Sequence, residues 1–359
     1  SFPTRRSSDL ALEQARLGQG HCAPNPSVGA IAVQNGIIIA QAYHRGAGTP
    51  HAEQLLLTQI PLHTPGVSLY ISLEPCNHWG KTPPCVDAII NHGIEEVVFA
   101  YLDPNPIVAK NNSSEKLRTR GIKVTHYPVE EITEFYKSYT YWILTQKPKV
   151  TVKIAQTLNG KIGQAEGERV ILSNALCEQF THQMRATADV ILTTARTVQL
   201  DNPKLNVRLS DKEWGKTVAI IDRKLSLNQE ATVFSTAAHC HIFHGHEQKT
   251  SYPNSTFHKM PVKNGAMDLS AVIKHLGALG YHDVWVEAGG ALFSALHNEG
   301  LVHRTYLYIV PTSLEHSAIS AYQRSGIFNR AHTVSWQAMD DNMIACLDWR
   351  EDETHEVAL

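Results

Sequence analysis

His51-Ala52-Glu53, the pair Pro75-Cys76 and a second cysteine at Cys85 are residues whose types and spacing could do chemistry together. One neutral imidazole and two thiolates form a soft three-ligand set suited to a zinc ion, with a fourth position left for water. Two thiolates balance the ion's charge, and the ion lowers the pKa of its water toward neutrality. Glu53, two residues past the histidine, can take a proton from that water and return it to a leaving group. Two other readings stand beside this one. Cys76 and Cys85 could form a disulfide, or the metal could be structural, with its fourth position filled by protein.

The order His-x-Glu, Pro-Cys, Cys is the signature of zinc nucleobase deaminases, whose short form places two residues between the cysteines. Here eight residues intervene, and His78, Trp79, Gly80, Lys81 and Thr82 form a loop over the metal.

The elements that must position these groups follow from pattern. DLALEQARLG reads as an amphipathic helix with Asp9 as N-cap. VGAIAV and IIIAQAY read as strands joined through Asn35-Gly36, a strong hairpin signal. A helix is expected from about His51, and the strand VSLYISL then delivers Cys76. Thr82-Pro83-Pro84 should start the next helix, with threonine as cap and Cys85 in the first turn, where the dipole favours a thiolate. EEVVFAYL and GIKVTHY are further strands, and a helix from about Glu130 to Trp142 closes the unit. This is an α/β sandwich on one mixed sheet.

Gln146-Lys147-Pro148-Lys149 breaks the pattern and marks the boundary. Beyond it, the strands KVTVKIAQTL, DVILTT, TVAIID, HCHIFH, DVWVEA and TYLYIV alternate with helices at LSNALCEQFTHQMRA, LSAVIKHLGAL and from Gly290. The second domain has no metal set and no G-x-G-x-x-G fingerprint. Gly289-Gly290 lies between a strand and a helix, where backbone amides could hold a dinucleotide's phosphates or the glycines could only let the chain turn.

The 359 residues suit two domains, and 43% apolar with 18% charged content describes a globular chain. A formal charge of −2 gives no electrostatic reason to expect nucleic acid or a membrane surface as partner. No apolar run reaches the roughly 18 residues of a membrane helix. The opening SFPTRRSSDL carries arginines without the apolar centre of a secretory signal and looks like a translated sequencing-adapter read. Residues 1–8 are therefore expected to be non-native or disordered, and a cytoplasmic location is expected, where reduced cysteines disfavour the disulfide.

PNPSVGA, HAE, EPCNHWGKTPPC and DPNPIVA resemble the deaminase domain of the bifunctional riboflavin-biosynthesis deaminase/reductase family. KIAQTLNGKIG, TTARTVQLDNPKLNVR and VEAGGAL resemble that family's reductase domain, in the same order. The resemblance implies a cytidine-deaminase-like α/β/α domain over 9–146 and a dihydrofolate-reductase-like α/β domain over 147–359. It implies zinc, one per chain, and NADPH as cofactors. The substrate would be a diaminopyrimidinone carrying ribose 5-phosphate, first deaminated and then reduced from ribosylamino to ribitylamino, by a protein expected to be a homo-oligomer.

By that resemblance His51, Cys76 and Cys85 hold the metal and Glu53 moves the proton. Asn25, His44, His78, Lys81 and Thr82 line the first substrate site. Lys153, Asp201 and Glu287 lie near the groups reacting in the reduction. Arg169, Arg185, Leu205, Arg208 and Glu287 match substrate positions, the arginines being suited to phosphate by their planar forks. Ala155, Ile171, Thr197, Asp201, Arg223 and the run Gly289, Gly290, Ala291, Leu292, Phe293, Ser294, Ala295 match the cofactor site. Arg169 and Ile171 replace a serine and a tryptophan common in the family. These departures leave open that the second half is a degenerate reductase serving as a ligand-binding or oligomerisation module. A nucleoside or RNA-base deaminase is a further alternative, against which the long inter-cysteine loop and near-neutral charge argue.

Overall fold

Asn35 and Gly36 both take positive φ, 50° and 77°, the backbone of a two-residue turn matched to the twist of a hairpin. They join β1 (Gly29–Gln34) to β2 (Ile37–Tyr43) in antiparallel pairing. The computed structural model describes residues 4–79, 83–109, 112–164, 170–247, 250–323 and 326–350, in two compact units, Ser1–Gln146 and Lys147–Leu359. Among the described residues no helix is long and apolar enough to cross a membrane.

In the first unit β3 (Val67–Ile71) pairs antiparallel with β1, and β4 (Glu96–Phe99) and β5 (Lys123–His126) continue parallel, giving the order β2-β1-β3-β4-β5. Strand alternation puts Ala30 and Ala32 on one face with Leu56, Val86 and Ile89. Ile31 and Val33 face the other way, against Ala11. Helices α1 (Thr4–Gly18), α2 (Ala52–Leu57) and α3 (Cys85–His92) supply these layers. At Gly29 a Cβ would lie 2.1 Å from the Ala11 carbonyl oxygen, so only glycine lets α1 approach the sheet there.

Three local expectations are corrected. The first helix begins at Thr4, with Asp9 inside it, so residues 4–8 of the segment expected to be non-native or disordered are helical. Ser7 and Ser8 are buried on the face that continues through Ala11, Leu12 and Ala15, and Arg5 bridges Asp9 at 2.9 Å and Glu131 at 2.7 Å. Pro84, not Thr82, stands at the N-cap of α3; Thr82 lies outside the described residues. The closing helix is two helices, Glu130–Phe135 and Lys137–Thr145, broken at Tyr136, whose buried hydroxyl bonds Ser72 and the Ser27 carbonyl.

The second unit is built on nine strands, in spatial order Ser255–Lys259, His239–His244, Thr217–Ile221, Val190–Thr194, Asp283–Glu287, Lys149–Thr157, Arg304–Val310, Asn342–Trp349 and His332–Met339. The first seven run parallel and the last two form an antiparallel hairpin against them. That hairpin escapes the sequence reading because its outer strand is almost wholly exposed and carries no burial pattern. Separate cores cover the two faces, Val150, Val152, Val284 and Val286 on one, Trp285, Tyr306 and Tyr308 on the other.

At one edge of this sheet three histidines form a hydrogen-bonded relay. His241 Nδ1 meets His258 Nε2 at 2.9 Å, His258 Nδ1 meets His275 Nε2 at 2.9 Å, and His241 Nε2 meets the Tyr281 hydroxyl at 2.8 Å. Burial and then mutual repulsion push His241 and His258 down to about 4. Both rings stay neutral in the folded chain, whereas in the unfolded chain they take up protons below their ordinary value near ~6.5. Stability should therefore fall as pH drops from about 6.5 toward 4. A lower thermal midpoint at pH 5 than at pH 7, with a shallower dependence in His258→Gln, is the expected result; equal slopes for parent and variant would remove the relay as the cause.

Candidate active sites

His51 sits at the N-cap of α2 with extended backbone and no capping bond from its side chain, so its ring is free to face inward. The segment after β3 carries Cys76 beneath it, and Cys85 opens α3. His51 Nδ1 lies 3.2 Å from Cys85 Sγ and 3.5 Å from Cys76 Sγ. The Cys85 backbone N–H points at Cys76 Sγ from 3.4 Å, so the amide at a helix start stabilises a thiolate. All three ligand atoms lie within 4.8 Å of one another. Metal bonds of about 2.0–2.3 Å in a tetrahedron require nitrogen-to-sulfur edges of roughly 3.6 Å, so the donor set and its spacing fit zinc. No disulfide joins Cys76 and Cys85.

Cys76 is held low, at about 4, chiefly by the Cys85 hydrogen bond, while Cys85 is pushed up by that same bond and by burial. Glu53 is 4% exposed and outside the three-ligand set, and burial raises its carboxyl despite the nearby His51. A carboxyl raised in this way holds a proton more readily than an exposed one, as a proton carrier must.

His51, Cys76 and Glu53 line a cavity of about 430 Å³, with Cys85 fully buried behind them. Asn25, His44 and His78 line it, as expected. His44 Nδ1 lies 3.1 Å from the Pro50 carbonyl and Nε2 lies 3.2 Å from Asn25 Nδ2. A carbonyl only accepts, so Nδ1 carries the hydrogen and Nε2 accepts from Asn25; burial, which lowers the ring's pKa, agrees. His78 Nδ1 is buried without a partner among the described residues. Lys81 lies outside the described residues. The sequence reading passed over the far wall, formed by Leu73, Glu74, Asp103, Asn105, Tyr139 and Trp142. Burial pushes Asp103 up to about 6 although the Asn105 amide and the Tyr139 hydroxyl bond it at 2.9 and 3.2 Å. The available signal was DPNPIVA itself, an acidic residue followed by an Asx-turn asparagine directly after a strand.

In the second unit Glu287 ends a parallel strand beside Lys153, its registered partner on the next. Arg185 grips it with both arms, Nε to Oε1 at 2.6 Å and Nη2 to Oε2 at 2.8 Å, and the Trp285 indole donates to Oε1 at 2.7 Å. Burial opposes ionisation, but Arg185 outweighs it and holds the Glu287 carboxyl at about 2. Burial lowers the Lys153 ammonium, against the pull of Glu287, and Nζ lies 4.9 Å from the Tyr308 ring centre.

Arg185 is therefore occupied by Glu287 and, through Nη1, by the Asn206 carbonyl at 2.9 Å, which leaves it little of the fork expected to hold phosphate. Arg208 is more open: it bonds Asn206 Oδ1 at 2.7 Å and Glu178 at 2.9 Å with 39% of its side chain exposed. Leu205 is buried in the left-handed region at φ 48°, directly before Asn206, which both arginines contact. Asp201 is exposed at the end of helix Ala195–Asp201, and among the described residues no hydrogen bond or ion pair links it to Lys153 or Glu287.

The expected cofactor residues divide. Gly290 is required by packing: a Cβ would lie 2.7 Å from the Ala321 carbonyl oxygen, whereas one on Gly289 meets open space. Leu292 and Phe293 point into the core and Ser294 accepts from the Gln323 amide at 3.0 Å, so only backbone is left to them for a ligand. Ala291 is exposed and Ala295 half-buried. Thr197 is tied to Thr194, the N-cap of its helix, and Ala155 lies half-buried beside Tyr308. The Arg223 carbonyl accepts from Gly245, and Ile171 is 82% exposed. Arg169 lies outside the described residues.

Residues 4–101 match the cytidine and deoxycytidylate deaminase zinc-binding region, and residues 148–344 match the RibD C-terminal domain. The chain is 35% identical over 305 residues to the riboflavin biosynthesis protein RibD of Aquifex aeolicus, covering 84% of this chain and 85% of the relative. It is 31% identical to the Escherichia coli protein of that name over 318 residues, 85% of this chain and 86% of the other. The solved structure of Acinetobacter baumannii RibD superposes with a TM-score of 0.86 at 26% identity, covering 97% and 99% of the two chains. A diaminohydroxyphosphoribosylaminopyrimidine deaminase/5-amino-6-(5-phosphoribosylamino)uracil reductase from Thermotoga maritima superposes at 0.83 with 28% identity over the same shares. Joining a deaminase region to a RibD C-terminal domain over almost its whole length, the chain belongs to the RibD family of bifunctional riboflavin-biosynthesis deaminase/reductases.

Proposed function

We propose that this chain hydrolyses the 2-amino group of a diaminopyrimidinone bearing ribose 5-phosphate, then reduces the sugar side chain with NADPH. The observation that carries the first step is the convergence of His51, Cys76 and Cys85 beside buried Glu53, at a cavity that His51, Glu53 and Cys76 line. One zinc ion per chain, held by those three residues, supplies a water of near-neutral pKa when bound. Glu53 takes a proton from water and delivers it to the departing amine. Asn25, His44 and His78 are assigned to the pyrimidine site, and the resemblance adds Lys81 and Thr82, with the substrate's phosphate as a partner for Lys81.

In the reduction, the hydride goes to C1′ of the sugar after ring opening to an imine. Lys153 and Glu287 are the residues assigned to the reacting end, and Arg208 is better placed than Arg185 to meet phosphate. The backbone from Gly289 through Ala295, with Ala155 and Thr197, is assigned to the dinucleotide. A homo-oligomer in the cytoplasm, with no nucleic acid or membrane partner, completes the reading.

Mass spectrometry of the pyrimidine product tests both halves at once. Without NADPH the product should gain the mass of NH replaced by O; with NADPH it should gain two further hydrogens. Deamination without the second gain, together with absent NADPH binding, would reduce the second unit to a binding module.

A further inference from the structure

We propose that Trp285 is a positioning residue for the reduction, fixing which oxygen of Glu287 is left to engage the reacting groups. The inference rests on reading Glu287 as a residue that touches substrate. Trp285 and Glu287 are two apart on one strand and so project from the same face, while Val284 and Val286 enter the opposite core. The indole is 1% exposed, and its N–H, a donor with no acceptor capacity, ends on Glu287 Oε1 at 2.7 Å.

Counting acceptor sites gives the consequence. Each carboxylate oxygen takes about two hydrogen bonds. Oε1 receives Arg185 Nε at 2.6 Å and Trp285 Nε1, and is saturated. Among the described residues Oε2 receives only Arg185 Nη2, at 2.8 Å, so one position on Oε2 stays available for a substrate hydroxyl or a proton. Arg185 alone, a symmetric fork, would leave both oxygens equally available; the indole breaks that symmetry. Charged or titratable groups facing the carboxylate are Arg185 and His182 from helix Ala175–Thr187, Lys153 from strand Lys149–Thr157 and Tyr308 from strand Arg304–Val310. Of these only Arg185 donates to Oε1, and Trp285 fills the position it leaves; the indole also helps keep the carboxyl ionised.

The test uses the full-length enzyme loaded with zinc, NADPH and the deaminated pyrimidine. Trp285→Phe removes the N–H and keeps a ring. Installing the benzothienyl analogue of tryptophan at position 285 removes the N–H while keeping the shape, and it decides the matter should the phenylalanine variant fold poorly. Both should lower reductase kcat by roughly ten- to hundredfold with a smaller change in KM. The acid limb of the rate profile should move to higher pH while deamination is unchanged. An analogue-bearing enzyme with the parent's kcat and acid limb overturns the proposal. Glu287→Gln separates the two layers: parent-level reduction in that variant removes the role of Glu287 itself, whereas its loss alongside an indifferent Trp285 position removes only the indole's part.

Discussion

Glu53→Gln is expected to keep its zinc and lose deamination by about two to four orders of magnitude, the usual range for a positioned proton carrier. Glutamine fills the same buried space and lies outside the three-ligand set, so the site should assemble as before. What it cannot do is accept a proton from water and give it to a leaving amine. Metal content and product mass, measured on one preparation, check both clauses. Parent-rate deamination with full zinc would take the proton transfer away from Glu53. Reduction of the already deaminated pyrimidine should be untouched, because its assigned residues belong to the other unit.

Arg185→Leu should destabilise the second unit by about 3–5 kcal/mol, since it strands a carboxylate in a site built around its partner. Arg185 and Glu287 are 11% and 14% exposed, so solvent does little to soften the loss. Removing both charges together, as Arg185→Leu with Glu287→Leu, should recover much of that stability even though reduction is lost. Denaturant unfolding of the three proteins decides it. A single-variant loss below roughly 1 kcal/mol, the worth of an exposed pair, would mean that Glu287 is better solvated than its surroundings imply.

The metal site was legible in the sequence because its chemistry is local. His51 and Glu53 share a helix start, and Cys76 and Cys85 flank one loop, so the order of the residues suggests a zinc set and the resemblance assigns it. The far wall of the same cavity was not legible: Asp103 and Tyr139 meet at 3.2 Å across 36 residues, and neither carries a spacing rule. In the second unit resemblance found Arg185 and Glu287 but assigned the arginine to phosphate. Which partner a guanidinium takes depends on a pairing across 102 residues that no short motif encodes. The helix from Gly290 shows the same limit from the other side. A glycine pair before a helix fits both a phosphate cradle and a tight crossing, and the nearby Ser320–Ala321 backbone shows that Gly290 serves the crossing.

The Pro50 carbonyl has one more effect on the first cavity. By holding the hydrogen of His44 on Nδ1, it turns Nε2 toward the Asn25 amide as an acceptor, so the carboxamide nitrogen is engaged and its oxygen is the end left over. A second proton on the ring would set donor against donor. With the ring neutral, as its lowered pKa favours, the rim offers the lone pair of the Asn25 oxygen to the cavity. Under the proposed function, an amino-bearing ring and its deaminated product would meet this rim at the same charge, so the rim's geometry would tell them apart.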